Sequence, residues 1–434
     1  MSQKVVTRMP PSPTGLFHIG SARTALFNYL YAKQNGGKFI LRIEDTDKER
    51  SKKEFEDNII ESLKWLKMPY EEFYRQSERT EIYKKHLKKL INQKIAYVSQ
   101  EEPKKEGDRG EVIRFKNPNK KIKFNDLVLG EIEFDTTDLQ DFVIAKDLDT
   151  PLYHFAVVVD DIEMAVTHII RGQDHISNTP RQILILEALG AARPQYAHIP
   201  LILSPDKSKL SKRHGALSVL EYKEMGYLPE AILNFLALIG WNPGNNQEIF
   251  TLEELLKEFS FKKIQKSGGI FNIKKLDWIN KEHIKLLSPE EIEKNILKWL
   301  PENMRNPKLV FIILERISKW GDIKDMVARG ELDFFFKQPK YAKEKLIYKN
   351  ISPERIAKNL KLAIRNLENL PKEKFTKENI NVILVKTADS VGSRGEVLHP
   401  IRYALSGMDT SPDPFVIAEI LGKDETIYRL KKAI

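Results

Sequence analysis

Pro10–Pro11–Ser12–Pro13–Thr14–Gly15–Leu16–Phe17–His18–Ile19–Gly20 is a turn set between two regular elements. Before it, residues 4–9 read as a short strand with Val5 and Val6 apolar. Prolines at 10, 11 and 13 cannot continue a strand ladder, so the strand ends there. From Ser21 a helix follows, with Ala22, Ala25, Leu26, Tyr29 and Leu30 recurring at helical spacing. Gly36–Gly37 closes it, and Phe39, Leu41 and Ile43 alternate in a second strand that runs into Glu44–Asp45. Strand, turn, helix and strand at this spacing form a parallel βαβ unit. In such a sheet, ligands bind outside the carboxyl ends of the strands. Ser12, Thr14 and His18 stand there, just before a helix whose amide donors suit phosphate. Gly20 has no side chain, so a base or ribose can lie against the backbone. A His-Ile-Gly tripeptide alone says little. The strand–turn–helix context is what makes it a nucleotide site.

Working outward, helices are expected over 53–66 and 80–92, and short strands with charged loops over 96–141. Apolar runs at 153–159 and 166–170 read as buried central strands. A helix over 178–189, with Pro180 in its first turn, precedes a strand over 197–203. The basic loop 204–214 follows, and from Leu220 the pattern is almost entirely helical, for instance over 229–239, 252–259 and 289–300. Such a chain of 434 residues is too long for one ordinary core.

The longest apolar stretches, such as 232–239, are too short to span a bilayer, and Val5–Val6 leads directly into a polar turn. No signal peptide is read, and a cytoplasmic location is expected. There is no cysteine, so neither disulfides nor thiolate metal ligands are expected, and protein-bound zinc is not anticipated. The net charge of +10 fits either a lysine-rich proteome or a polyanionic partner. Charge alone does not choose between them.

Two motifs do. Arg8, Pro11–Ser12–Pro13–Thr14–Gly15, His18–Ile19–Gly20 and Arg42–Ile43–Glu44–Asp45–Thr46–Asp47 together resemble the signature of class I glutamyl-tRNA synthetases, with Ser21 in the variable fourth place of the His-Ile-Gly motif. Lys209–Leu210–Ser211–Lys212–Arg213, after the fifth expected strand, resembles the second, lysine-bearing nucleotide motif of that class. Charge builds on departing pyrophosphate when a carboxylate attacks ATP, and mobile lysines closing over it favour the transition state. The resemblance runs the whole length. It includes Gly392–Ser393–Arg394–Gly395–Glu396–Val397–Leu398–His399–Pro400–Ile401–Arg402 and Leu421–Gly422–Lys423–Asp424 near the C-terminus.

The resemblance implies an α/β fold in five parts. A Rossmann-like parallel-sheet catalytic domain (1–94 and 153–205) carries an inserted acceptor-stem-binding module (95–152). The lysine loop and a helical stem-contact domain (206–290) and an α-helical anticodon-binding domain (291–434) follow. The insertion is shortened and lacks the zinc-binding cysteines that some relatives carry. A helical C-terminus points away from the glutaminyl and archaeal branches, whose anticodon domains are β-barrels, and away from the short paralogue that lacks one. A nucleotidyltransferase of the same superfamily has no use for so long a helical C-terminus. A non-catalytic tRNA-binding relative predicts loss of His18, Lys209 or Lys212, and all three are present.

For the site, the resemblance assigns His18, Gly20, Lys209 and Lys212 to catalysis, and Thr14, His18, Gly20, Asp174, Lys209 and Lys212 to ATP. Asp174 has a helix-capping role as its alternative. Glutamate needs fixed cations for its γ-carboxylate, and arginine forks suit carboxylates. Arg8 and Arg171 stand at strand ends for this, with Ser12, Tyr153 and Glu44 beside them, Glu44 for the ammonium. Asp47 is implied at the terminal nucleotides, and Lys319 and Arg316 are candidates for the anticodon stem. Asp160–Asp161 tempts a metal reading, but no third ligand stands at ligand spacing. Mg2+ is expected to arrive with ATP. The implied partners are ATP, L-glutamate and tRNA(Glu), with tRNA(Gln) left open, and the family is usually monomeric.

Overall fold

Val6–Met9 (β1) is buried along its whole length, which a four-residue strand achieves only at the centre of a sheet. The computed structural model describes residues 4–102, 110–208, 210 and 217–434. Helix α1 (Ile19–Gln34) packs across β1, and β2 (Lys38–Ile43) pairs with it in parallel, Val6 opposite Lys38. Gly36 takes φ +60° in the turn between α1 and β2, a conformation that suits glycine. Helix α2 (Lys53–Trp65) leads to β3 (Glu72–Arg75), which extends the sheet in parallel beyond β2. Helix α3 (Thr80–Asn92) matches the expected bounds at both ends.

The chain then builds two β structures. Strands β4 (Ala96–Gln100), β5 (Glu111–Phe115), β8 (Phe142–Asp147) and β9 (Thr150–Pro151) form an antiparallel sheet. The hairpin between them, β6 (Lys121–Asp126) and β7 (Gly130–Asp135), joins a different sheet. It lies beside β11 (Gln195–Ile199), which pairs in parallel with β10 (His168–Gly172). Thr167 links that sheet to the first, its amide donating to the Val6 carbonyl (3.0 Å) and its hydroxyl accepting from the Val6 amide (2.8 Å). β1 therefore has β2 on one side and β10 on the other. That reversal of direction is a topological switch point, where open parallel sheets bind ligands.

The run expected as a strand at 153–159 is instead helix α4 (Tyr153–Glu163). Phe155, Ala156, Val157, Val158 and Val159 are buried on every side of it, so the helical period leaves no mark in the sequence. Asp160 and Asp161 lie inside the helix rather than after a strand. The expected strand over 197–203 divides at Pro200 into β11 and β12 (Ile202–Leu203). β3 was not expected, and the basic loop follows β12 directly.

Helix α5 (Thr179–Ala188) lies between β10 and β11, with Pro180 in its first turn. After the basic loop come α6 (Val219–Glu224), α7 (Pro229–Leu238), α8 (Leu252–Glu258), the short β13 (Gly269–Ile270) paired with β12, and α9 (Ile273–Lys285). Their apolar faces share one core with α1, including Phe27, Leu236, Trp241 and Phe259. Two compact units result, Met1–Ile284 and Lys285–Ile434. The second is helical: α10 (Pro289–Trp299), α11 (Val310–Arg316), α12 (Asp322–Ala328), α13 (Pro353–Glu368), α14 (Lys377–Val391), α15 (Arg394–Ser406), α16 (Pro414–Leu421) and α17 (Lys423–Lys432). Leu360, Leu384, Ile401 and Leu430 meet in its core. Among the described residues no helix is long and apolar enough to cross a membrane.

Candidate active site

A cleft of about 850 Å³ opens at the carboxyl ends of β1 and β10, at the switch point. Arg8, Ser12, His18 and Gly20 line it from the first βα turn. Glu44 lines it from the end of β2, Tyr153 from the start of α4, and Arg171 and Asp174 from β10 onward. Eight of the residues singled out in the sequence therefore meet in one place. Thr14 is exposed on the turn and Asp47 is paired with Arg50 (2.6 Å); neither lines the cleft. Lys209 and Lys212 lie outside the described residues, although Leu210, between them, lines the cleft.

His18 caps α1. Its Nδ1 accepts from the amides of Gly20 (3.1 Å) and Ser21 (3.2 Å), so the ring proton sits on Nε2, 3.2 Å from the Ser21 hydroxyl. This changes the expected picture of open helix amides, because the imidazole already occupies two of them. Gly20 also has a different reason to be glycine. A Cβ there would stand 3.0 Å from two ring atoms of His18, so the missing side chain makes room for the imidazole itself. Gly20→Ala is expected to push the ring aside by a few tenths of an ångström, and an unshifted His18 ring resonance in the variant would contradict this contact.

Behind the turn, Arg8 and Arg42 share buried carboxylates. Arg8 Nε donates to Asp161 (3.1 Å), and Arg42 donates to Asp161 (2.7 Å) and to Glu44 (3.1 Å). Asp160 accepts from Arg79 (2.7 Å), Gln76 (2.8 Å) and Tyr83 (2.9 Å). The aspartate pair is thus occupied by arginines and their neighbours. Burial lifts Glu44 to about 7, against the opposing pull of Arg42, while Arg8 and Arg42 hold Asp161 below the ordinary carboxylate range despite its own burial. One nitrogen of Arg8, Nη1, is buried with no hydrogen-bond partner among the described residues.

Arg171 is arranged differently. It is 5% exposed, yet all its bonds go to neutral acceptors: Nε to His198 (3.2 Å), Nη1 to Gln182 (2.7 Å) and Nη2 to Thr179 (2.7 Å). Buried arginines are normally neutralised by a carboxylate, and among the described residues this one has none at ion-pair distance. Tyr153 opens α4 with its hydroxyl 3.5 Å from His175 Nδ1. Asp174 caps neither helical segment near it: Asn178 is the N-cap of α5, Gly172 that of the 3-10 segment Gln173–Asn178. The capping alternative therefore falls away, and the Asp174 carboxylate folds back against Gly172 instead.

Several residues of this site were not singled out in the sequence. Gln182, His198 and Arg23 contribute through contacts between distant elements, and Arg42, quoted within the motif, had no role assigned to it. Arg23, 3% exposed, donates to the carbonyls of Ile239 (2.9 Å) and Pro200, tying α1 to the segments flanking the basic loop and α7. Among the described residues, no group of three or more His, Asp or Glu could hold a metal ion. In the second unit, Arg316 pairs with Glu331 (3.2 Å) and Lys319 with Asp322 (2.8 Å).

Sheet, switch point and capped histidine turn are those of a class I aminoacyl-tRNA synthetase. Residues 4–106 and 98–278 match the family described as tRNA synthetases class I (E and Q), catalytic domain, and residues 279–434 match an anticodon binding domain. The chain is 39% identical to glutamate–tRNA ligase 1 of Caldanaerobacter subterraneus subsp. tengcongensis, over 100% of this chain and 98% of that relative. It is 41% identical to glutamate–tRNA ligase 1 of Petrotoga mobilis, over 98% and 97%. A glutamate tRNA ligase from Elizabethkingia meningosepticum, solved in complex with its amino acid, superposes with a TM-score of 0.89 at 34% identity, covering 99% of both chains. Within its class, the chain belongs to the glutamate–tRNA ligase family.

Proposed function

We propose that the protein activates L-glutamate with ATP to glutamyl-adenylate, then transfers the glutamyl group to the 3′-terminal adenosine of tRNA(Glu). The observation that carries the acidic substrate is Arg171, a buried cation on the cleft wall whose bonds all go to neutral groups. A γ-carboxylate supplies the missing charge, whereas the amide of glutamine leaves it uncompensated. Arg8 assists with its unpartnered Nη1, and Ser12 and Tyr153 add hydroxyls.

In the first step, an oxygen of the substrate's α-carboxylate attacks the α-phosphorus and pyrophosphate leaves. His18, through its Nε2 proton, faces the phosphates, with Thr14, Gly20 and Asp174 along the nucleotide. Lys209 and Lys212 supply positive charge to the leaving group. Mg2+ accompanies ATP, held by phosphate and water. In the second step, the 2′-hydroxyl of the terminal adenosine attacks the carbonyl carbon and AMP leaves, with Asp47 near the terminal nucleotides. Positioning and charge stabilisation suffice, with no covalent enzyme intermediate. The protein acts as a cytoplasmic monomer.

Glu44 accepts from the substrate's ammonium in this reading. Burial raises it to about 7, so near neutrality much of it is protonated before glutamate binds. An ammonium beside it favours the charged form and drives the proton off. Glutamate binding at pH 6.5 is therefore expected to release protons, and its affinity to rise as the pH climbs through 7. Calorimetry in buffers of different ionisation enthalpy reads this directly; zero net proton release at pH 6.5 removes Glu44 from the ammonium site.

Aminoacylation with labelled glutamate tests the overall reading, run side by side on tRNA(Glu) and tRNA(Gln). Charging of tRNA(Glu) is required, and charging of tRNA(Gln) as well marks a non-discriminating enzyme. Failure on both overturns the proposal.

A further inference from the structure

Arg171 does not hold itself in place. Its Nε donates to Nε2 of His198 (3.2 Å), so Nε2 must present a lone pair. The other ring nitrogen, Nδ1, lies 2.7 Å from Oδ2 of Asp126 and carries the proton. Asp126 is itself fixed by backbone amides of Val128 (2.9 Å), Leu129 (2.9 Å) and His198 (3.0 Å). His198 is fully buried in β11, and Asp126, 2% exposed, ends the neighbouring β6. The chain thus runs from a clamped carboxylate through one imidazole tautomer to the buried arginine.

We infer that Asp126 and His198 are positioning residues that present Arg171 to the side-chain carboxylate of the substrate while leaving its charge uncompensated. The inference rests on the reading of Arg171 as the partner of that carboxylate. A carboxylate in van der Waals contact with Arg171 would orient it equally well, but would compete with the substrate for the same charge. The imidazole avoids this: it offers a neutral acceptor, while the carboxylate that fixes its tautomer stays on the far side of the ring. The opposite tautomer would aim an N–H at an N–H and displace the guanidinium. Burial, the largest influence on His198, favours its neutral form. Arg8 shows the contrasting arrangement, with Asp161 bonded to it directly. Residues orienting a ligand-binding group through its second ring nitrogen are a recurrent device at buried sites.

Asp126→Asn is the informative change. Its amide oxygen, in the place of Oδ1, can still accept from Val128, Leu129 and, at 3.3 Å, the His198 amide, while its NH2 faces Nδ1 of His198 and forces the proton to Nε2. The expected result is a KM for glutamate raised roughly tenfold to a hundredfold, with kcat and the KM for ATP held within about threefold. Selectivity for glutamate over glutamine falls alongside. Long-range 1H–15N spectra of the full chain with labelled histidine, assigned against His198→Gln, are expected to show an Nδ1-protonated His198 in the wild type and an Nε2-protonated one in D126N. An Nε2-protonated or doubly protonated His198 in the wild type overturns the inference without need of any variant. Arg171→Gln separates the two levels. If it raises the KM for glutamate and D126N does not, the relay is wrong and the reading of Arg171 stands; if neither raises it, that reading fails first.

Discussion

Arg171→Gln is expected to lower kcat/KM for glutamate by roughly two to three powers of ten, the cost of about 3–5 kcal/mol for removing one partner of a buried charge pair. The loss should fall on glutamate and spare ATP, because the proposed partner of the guanidinium is the amino acid rather than the nucleotide. Selectivity against glutamine should shrink by a similar factor, since a neutral pocket no longer penalises the neutral amide. Arg171→Lys is expected to recover only part of the activity. A lysine keeps the charge but cannot bond His198, Gln182 and Thr179 together as the planar fork does. Pyrophosphate-exchange kinetics with both amino acids measure all of this. Equal loss for glutamate and glutamine would mean that Arg171 supports the fold and does not select the substrate.

The second large effect is at His18, where structure and chemistry have to be separated. His18→Ala removes both the cap of α1 and the Nε2 donor. Capping is worth about 1 kcal/mol of helix stability, whereas loss of a donor to a developing charge slows the reaction by roughly 10²–10³. His18→Asn divides the two, because asparagine is a strong N-cap that cannot place a donor where the imidazole Nε2 stands. The asparagine variant is expected to resist denaturant nearly as the wild type does and yet to exchange pyrophosphate as poorly as the alanine variant. Recovery of exchange with asparagine would reduce His18 to a cap.

How legible the site was depends on where its partners lie. Arg8, Ser12, His18, Gly20 and Glu44 could be read because they sit within one βαβ unit, where strand ends and turn residues mark the binding edge. Tyr153 and Arg171 were placed in the site by resemblance, and the element assigned to Tyr153 was wrong. Residues 155–159 are all apolar and buried because α4 is packed all round there, so neither helical nor strand periodicity survives in them. β3 escaped because Glu72–Arg75 is a half-buried edge strand with charges at both ends and no clear alternation. Asp160 and Asp161 stood out in the sequence, but nothing local could show that Arg42 and Arg79, from separate elements, bind them. Asp126 and His198 are 72 residues apart, and only the alignment of β6 beside β11 brings them together. Gly20 was read as leaving room for a base or ribose, whereas the group a Cβ there would meet is the His18 ring.

ATP–pyrophosphate exchange in the presence of tRNA(Glu), with glutamate and glutamine compared at matched concentrations, tests the central claim most directly. The arrangement of Arg8, Arg171 and His18 predicts robust exchange with glutamate and exchange lower by roughly two powers of ten or more with glutamine. No exchange with glutamate in the presence of the cognate tRNA, or equal exchange with both amino acids, would contradict it.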